Sequence, residues 1–259
     1  MRLIDTHCHL NDTEAFPNPS EAIAEARAAG VEKLIVIGVD TESSRLAVEI
    51  AEQHEGVYAT VGWHPNYTQN FNKLELAEIE KLITHPKVVA IGEIGMDFHW
   101  DYATSDEQRS ALLLQLDLAG KYEKPVVFHC REAEWFLLPI LEKRIQICPK
   151  ERGKWLLHCF AGSQDDAKRA IELDCMFGVD GPVTYKKADE LRETIQTIGL
   201  ERIVIETDAP WMTPVPHRGK RNKPAWVKHV NEGLAETFDV TPEVTARITT
   251  KNAEDFFGI

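Results

Sequence analysis

Residues 3–9 read LIDTHCH, an apolar opening run that ends in two histidines separated by one residue, His7 and His9. Side chains at positions i and i+2 of an extended strand project from the same face. The two imidazoles can therefore bind one cation side by side, and imidazole is the commonest metal ligand in proteins. This stretch predicts a first strand that delivers two ligands to a metal site.

Strand-like and helix-like segments alternate from this stretch to the end of the chain. Apolar, β-branched runs predict eight strands, at 2–6, 33–39, 57–62, 88–94, 125–129, 154–158, 176–180 and 202–207. Amphipathic stretches predict helices between them, at 20–29, 41–53, 74–84, 105–122, 134–147, 163–173 and 187–198, and two more close the chain at 226–238 and 242–257. Short connections between alternating strands and helices indicate parallel pairing with right-handed crossovers.

The placement of polar residues decides how the predicted sheet closes. An acid or an imidazole ends the fourth, fifth, sixth and eighth strands, namely Glu93, His129, His158 and Asp208. In a barrel these strand ends meet the first strand around one mouth, whereas in a doubly wound open sheet the first and last strands usually lie apart. No glycine-rich dinucleotide fingerprint follows the first strand. We expect a (β/α)8 TIM barrel with C-terminal helices, formed by one domain over residues 1–259.

Composition restricts the classes of function. No apolar stretch is long enough to span a bilayer, no basic and apolar signal segment precedes His7, and the five cysteines show no framework spacing. A cytoplasmic protein without membrane contact is expected. Cys8, Cys130 and Cys159 each directly follow a candidate ligand, and strand alternation predicts that their thiols face the surrounding helices.

The charge distribution limits how the chain can bind nucleic acid. The formal net charge of -13 argues against indiscriminate binding over the whole surface. One segment differs, because residues 217–224 (HRGKRNKP) carry four cationic side chains shortly after Asp208.

Each of the six candidate ligands, taken alone, could have a structural role instead of binding a metal. His129 or His158 could be a hydrogen-bonded core residue, and Glu93 or Asp208 could be buried with a charged partner. Together, four imidazoles and two carboxylates exceed the needs of one tetrahedral zinc ion. They suit a binuclear site of mixed nitrogen and oxygen ligands, with a carboxylate that bridges the ions. Two metals about 3.5–4 Å apart can activate water for hydrolysis.

Seven ordered motifs resemble the signatures of the TatD family of metal-dependent deoxyribonucleases in the amidohydrolase superfamily. They are DTHCH at 5–9, GWHP at 62–65, GEIGMD at 92–97, HCREA at 129–133, HCFAG at 158–162, ETDAP at 206–210 and RGKRN at 218–222. The resemblance implies a TIM-barrel hydrolase with two divalent metal ions (Mg, Mn or Zn). The resemblance also implies which residues bind each ion. His7, His9, Glu93 and Asp208 would hold one ion, and His129 and His158 would hold the second together with Glu93, which bridges the two.

The resemblance also implies a reaction, which is phosphodiester hydrolysis as in a 3′-5′ exonuclease, with DNA that is single-stranded or ends in a free 3′ terminus as the partner. Asp208 and Glu93 are the expected catalytic groups. Arg131, Arg218 and Arg221 are expected substrate contacts, since guanidinium forks suit phosphate oxygens, and His64 is a further expected contact. Asp97 is a further candidate near the site. Family members often carry an acidic residue before the proline, at the position where this chain has Lys223. This difference bears on the expected substrate contacts and leaves the expected metal ligands unchanged.

The sequence is also compatible with two other hypotheses about function. An amidohydrolase acting on a small-molecule lactone or cyclic amide would use the same kind of centre, although many such enzymes bridge their metals with a carboxylated lysine. A metal-binding scaffold without turnover is the third reading, and an acid/base group such as Asp208 argues against it. We expect a monomer or a weak oligomer.

Overall fold

The computed structural model describes residues Met1–Ile259. Its single sheet has eight parallel strands that pair in chain order: β1 (Leu3–Cys8), β2 (Val31–Ile37), β3 (Val57–Val61), β4 (Val88–Asp97), β5 (Val126–Arg131), β6 (Trp155–Leu157), β7 (Met176–Val179) and β8 (Ile203–Ile205). Nine helices follow the strands: α1 (Pro19–Ala28), α2 (Thr41–Gln53), α3 (Lys73–Ile83), α4 (Ser105–Tyr122), α5 (Glu134–Ile147), α6 (Gln164–Glu172), α7 (Asp189–Ile198), α8 (Val227–Phe238) and α9 (Pro242–Phe257). The (β/α)8 barrel with C-terminal helices is confirmed.

The barrel closes where the first and last strands meet, directly beside the candidate ligands. The backbone N–H of Asp208 donates to the carbonyl of His7 at 2.9 Å, and the N–H of His9 donates to that of Ala209 at 2.8 Å. The carboxylate of Asp5 accepts hydrogen bonds from the hydroxyl of Thr207 at 2.6 Å and from its backbone N–H at 2.9 Å. The same contacts that join the segment after β8 to β1 therefore hold Asp208 next to His7 and His9.

An inner apolar cluster fills the barrel below the site. Six strands contribute to it, and α9 covers its lower end: the members are Ile4, Ile35, Ile37, Val89, Ala90, Val127, Leu156, Val204, Ala253 and Phe257. A second, larger cluster lies between the strands and the surrounding helices. Because apolar layers occupy both faces of the sheet, the buried histidines and carboxylates of the strands, such as His7, Glu93 and Asp97, lie towards the carboxyl ends.

Two strands depart from regular pairing at the positions that carry ligands. In β1 the register with β2 shifts between Asp5 and Cys8, and in β4 the register with β5 shifts between Ile91 and Ile94. Strict alternation would place Cys8 on the same face as Ile4, which belongs to the inner cluster. The shift instead places Cys8 in the outer cluster and leaves His7 and His9 facing inwards.

None of the helices combines the length and the apolar character that crossing a membrane requires.

Candidate metal centre

The six predicted ligands converge at the carboxyl ends of the strands. Three sets of side chains bring nitrogen and oxygen atoms within 4.8 Å of one another: His7, Glu93 and His158; His7, His9 and Asp208; His64, Glu93 and His129. The rings of His7 and His158 stack at 3.9 Å with an interplanar angle of 10°. The cluster is thus one continuous group of donors, whose members come from β1, β4 and β5 and from the segments that follow β1, β3, β6 and β8.

Glu93 lies at the centre of this cluster, and its two oxygens face different groups. Glu93 Oε1 lies 2.7 Å from His158 Nε2 and 2.8 Å from His129 Nδ1, whereas Oε2 lies 3.4 Å from His7 Nε2. Burial alone would raise the pKa of Glu93, but the imidazoles around it outweigh burial and hold that pKa well below its usual range. The carboxylate is therefore ionised and has one oxygen available on each side.

The hydrogen bonds of His129 define which of its nitrogens faces Glu93. His129 Nε2 lies 2.8 Å from Asp97 Oδ2, a carboxylate that can only accept, so this nitrogen carries a proton. The other nitrogen, Nδ1, faces the second carboxylate, that of Glu93. A bare lone pair against a carboxylate oxygen at this distance would be repulsive, so the position calls for a positive charge. In the absence of a metal, a second proton on Nδ1 supplies this charge. Burial alone would lower the pKa of His129, but the two carboxylates outweigh burial and raise it.

On the other side of Glu93, the first-strand histidines meet Asp208. His7 Nε2 and His9 Nε2 are 3.2 Å apart, and Asp208 Oδ1 lies 3.6 Å and 3.4 Å from them. Asp208 has a left-handed backbone conformation with φ of +53°, which is uncommon for a residue other than glycine and is concentrated at functional sites. Nitrogen and oxygen donors directed at one point fit a divalent cation, so the side chains present fit the metals that the sequence predicts.

His64 also enters the cluster, with a different hydrogen-bonding state. Its Nδ1 accepts the backbone N–H of Asn66 at 3.1 Å, and burial lowers the pKa of His64 to about 4. A neutral ring that accepts at Nδ1 must carry its proton on Nε2. That Nε2 lies 3.5 Å from Glu93 Oε1. In this state His64 offers the centre a hydrogen-bond donor rather than a lone pair for a metal.

A layer of buried acids behind the cluster was missed at the sequence level. Glu206 is fully buried; its Oε1 accepts the backbone N–H of Cys159 at 2.6 Å and lies 3.6 Å from His158 Nδ1. A Cβ atom at Gly178 would lie 2.3 Å from the same oxygen, so this position needs glycine to make room for Glu206. The signal was present, because Glu206 and Asp5 directly follow apolar runs, as Asp208 and Glu93 nearly do.

The prediction for the three cysteines was right twice and wrong once. Cys8 and Cys130 pack in or against the outer apolar cluster, as expected. Cys159 does not face the helices: its thiol lies 2.9 Å from Asp180 Oδ2 at the mouth. The reason is that β6 ends at Leu157, and Cys159 has a φ of +46°, so strand alternation no longer applies there.

The predicted arginines and Lys223 lie around the mouth. Arg131 is exposed, with its guanidinium carbon 5.9 Å from the ring of Trp100, and the guanidinium of Arg218 lies 4.0 Å from the ring of Tyr185. Arg221 donates to the backbone carbonyl of Glu14 at 3.0 Å, so part of its bonding capacity is used by the loop after β1. Lys223 forms an ion pair with Glu25 of α1.

A parallel eight-stranded barrel with imidazoles and carboxylates gathered at the carboxyl ends of its strands defines a class, the metal-dependent barrel hydrolases. Comparison with known proteins refines this. A family model described as TatD related DNase matches residues 4–258. The metal-dependent hydrolase YabD of Bacillus subtilis, itself uncharacterized, is 38% identical over 257 residues, 99% of each chain.

Two further relatives agree over the whole length. The 3′-5′ ssDNA/RNA exonuclease TatD of Klebsiella pneumoniae is 31% identical, over 99% of this chain and 98% of that protein. The crystal structure of YjjV, a TatD homologue from Escherichia coli, superposes with a TM-score of 0.92 at 30% identity, covering 100% of this chain and 98% of that one. The chain belongs to the TatD family of metal-dependent hydrolases.

Proposed function

We propose that this protein is a nuclease that hydrolyses phosphodiester bonds at the 3′ ends of single-stranded nucleic acid, through two divalent metal ions in one barrel domain formed by residues 1–259. The observation that carries the proposal is the position of Glu93, whose two oxygens face two separate groups of nitrogen and oxygen donors. The name of the Klebsiella relative supports the choice of substrate.

Each side of Glu93 supplies one set of ligands. His7, His9 and Asp208 with Glu93 would hold one ion, and His129 and His158 with Glu93 would hold the other. When bound, such a pair of ions activates water and neutralises charge on the phosphoryl oxygens. Imidazole ligands suit Zn, whereas Mg and Mn favour carboxylate and other oxygen ligands, so the test below compares all three metals.

The remaining groups act on water and substrate. Asp208 orients the attacking water and accepts its proton, because its side chain is the more exposed of the two carboxylates, at 14% against 4% for Glu93. The Nε2–H of His64 is positioned to donate to an oxygen in the centre. Arg131 and Arg218 supply guanidinium groups to phosphate oxygens at the mouth, and Arg221 contributes with the donors that its contact to Glu14 leaves free.

The direct test uses single-stranded oligonucleotides labelled at the 5′ or the 3′ end, with Mg, Mn or Zn added to metal-stripped protein. A ladder that shortens from the 3′ end is expected, and cleavage inside the strand would contradict the exonuclease mode. Panels of lactones and dihydropyrimidines test the amidohydrolase alternative in the same metal series. Turnover confined to those panels would overturn the proposal.

The salt dependence of binding is expected to be weak. A net charge of -13 opposes contact with a long polyanion, and only a few guanidinium groups lie at the mouth. Each neutralised phosphate adds about 0.7 to the log–log slope for single strands. Titrations of a labelled oligonucleotide at several salt concentrations should therefore give a slope corresponding to a few phosphates. A slope that corresponds to six or more contacts would contradict this expectation and indicate an extended basic binding surface.

A further inference from the structure

The exposed aromatic side chains of this protein all lie on one face. Five Trp, Tyr or Phe residues are strongly exposed: Tyr67, Trp100, Tyr102, Trp135 and Trp211. Each lies in a segment that follows the carboxyl end of a strand, after β3, β4, β5 or β8, and thus around the mouth. Large aromatic rings are usually buried for much of their surface. Their concentration at the mouth, with none so exposed elsewhere, indicates a ligand with flat apolar faces.

Two of these rings already form a stack in the segment between β4 and α4. The rings of Trp100 and Tyr102 are stacked at 5.6 Å with an interplanar angle of 19°, and they are 44% and 58% exposed. The guanidinium of Arg131 lies beside the Trp100 ring. The pair therefore offers an aromatic face to solvent with a phosphate-binding group next to it.

The position of this pair relative to the metal centre is set by Asp97. Asp97 Oδ1 accepts the backbone N–H of His99 at 2.9 Å and that of Trp100 at 3.2 Å. The other oxygen, Oδ2, bonds to His129 Nε2 and to Asn66 Nδ2 at 3.1 Å. A single buried carboxylate thus connects the backbone of the aromatic segment to a proposed metal ligand.

Electrostatics alone cannot hold a nucleic acid on this wall of the mouth. The exposed acid Asp101 lies between the two aromatic residues in the sequence, and the exposed acid Glu132 directly follows Arg131, whose guanidinium lies beside Trp100. Base–aromatic stacking contributes an attraction that does not depend on charge and that requires an unpaired base. On a strongly acidic protein, stacking therefore adds to the attraction of the guanidinium groups without depending on charge.

We infer that Trp100 and Tyr102 form a platform on which an unpaired base of the substrate continues the aromatic stack, so that these two residues determine the preference for single-stranded nucleic acid. The inference rests on the proposed function for the identity of the ligand. A base paired in a duplex keeps both faces covered by its neighbours, and only the end of the duplex could reach the platform.

The experiment measures binding without turnover, in EDTA, by fluorescence anisotropy. The probes are a labelled oligothymidylate and an abasic oligomer of equal length, which has the same phosphates but no bases. Wild type, Trp100→Ala/Tyr102→Ala and Trp100→Phe are compared, with Leu114→Ala on the outer surface of α4 as the control for loss of exposed apolar area. Thermal unfolding of each variant checks that the loop substitutions leave the fold intact.

Wild type should bind the oligothymidylate about 10-fold to 100-fold more tightly than the abasic oligomer, in line with the contribution of stacking per base. The double variant should lose most of that ratio, Trp100→Phe should keep most of it, and Leu114→Ala should match wild type. A double variant with an unchanged ratio would overturn the inference even if wild type cleaves DNA. Sedimentation that shows a dimer dissociated by the double substitution, with no effect on the ratio, would assign the patch to a second copy instead.

The two hypotheses fail in distinguishable ways. If wild type with added metal cleaves no oligonucleotide, the proposed function fails, while the binding ratio in EDTA is still measured. If cleavage occurs and the ratio does not respond to the aromatic residues, only the platform fails.

Discussion

Replacing Glu93 with glutamine is expected to reduce bound metal from nearly two ions per chain to one or fewer, and to lower kcat by on the order of 10³ or more. The reason is geometric, because Oε1 and Oε2 of Glu93 face different donor groups, and glutamine keeps one neutral oxygen in place of a shared negative charge. Charge stabilisation by such metals amounts to several kcal/mol of barrier, which corresponds to that loss of rate. The measurements are elemental analysis after reconstitution and initial rates on an oligonucleotide.

The matched control is Glu236→Gln, an exposed carboxamide substitution on α8. It should leave metal content and rate at the wild-type level. Full metal content in Glu93→Gln, together with full activity, would show that Glu93 does not bridge two ions. One ion per chain in wild type at saturating metal would contradict the binuclear centre itself.

The architecture of the barrel was predictable because its determinants are local. Each strand is a short apolar run, and a polar residue such as His129 or His158 stands where the run ends. The carboxyl ends of parallel strands must meet on one side of a closed sheet, so polar residues far apart in sequence could be assigned to one site. All six predicted ligands do lie within one cluster.

Features that depend on irregular backbone were not predictable in the same way. The register shifts in β1 and β4 move side chains from one face of the sheet to the other. Nothing in the local sequence pattern indicates these shifts, although the shift in β1 is the reason that Cys8 faces outwards. Cys159 was misplaced because a strand was assumed to continue past its real end at Leu157. The predicted first strand also ended too early, since β1 continues to Cys8.

The protonation states of the buried side chains could not be predicted from the sequence. That His64 carries its proton on Nε2 follows only from the backbone N–H that its Nδ1 accepts, a contact that requires the turn at Pro65 and Asn66. Burial alone would raise the pKa of Asp97, but its partner His129, from a different strand, lowers that pKa to about 2. Such contacts between distant residues are produced by the folded barrel and have no local signature.

Substituting Asp208 with asparagine is expected to lower turnover by on the order of 10²–10⁴, the range typical of general base catalysis, while the protein keeps most of its metal. Burial alone would raise the pKa of Asp208, but the imidazoles of His9 and His7 outweigh it, so the carboxylate is ionised at neutral pH and can accept a proton. Asparagine preserves the shape and one coordinating oxygen but not that capacity. If Asp208 were only a ligand, activity would fall in proportion to metal loss and return at saturating metal. Rates and metal content measured across a metal titration separate the two cases, and full rescue would refute the base assignment.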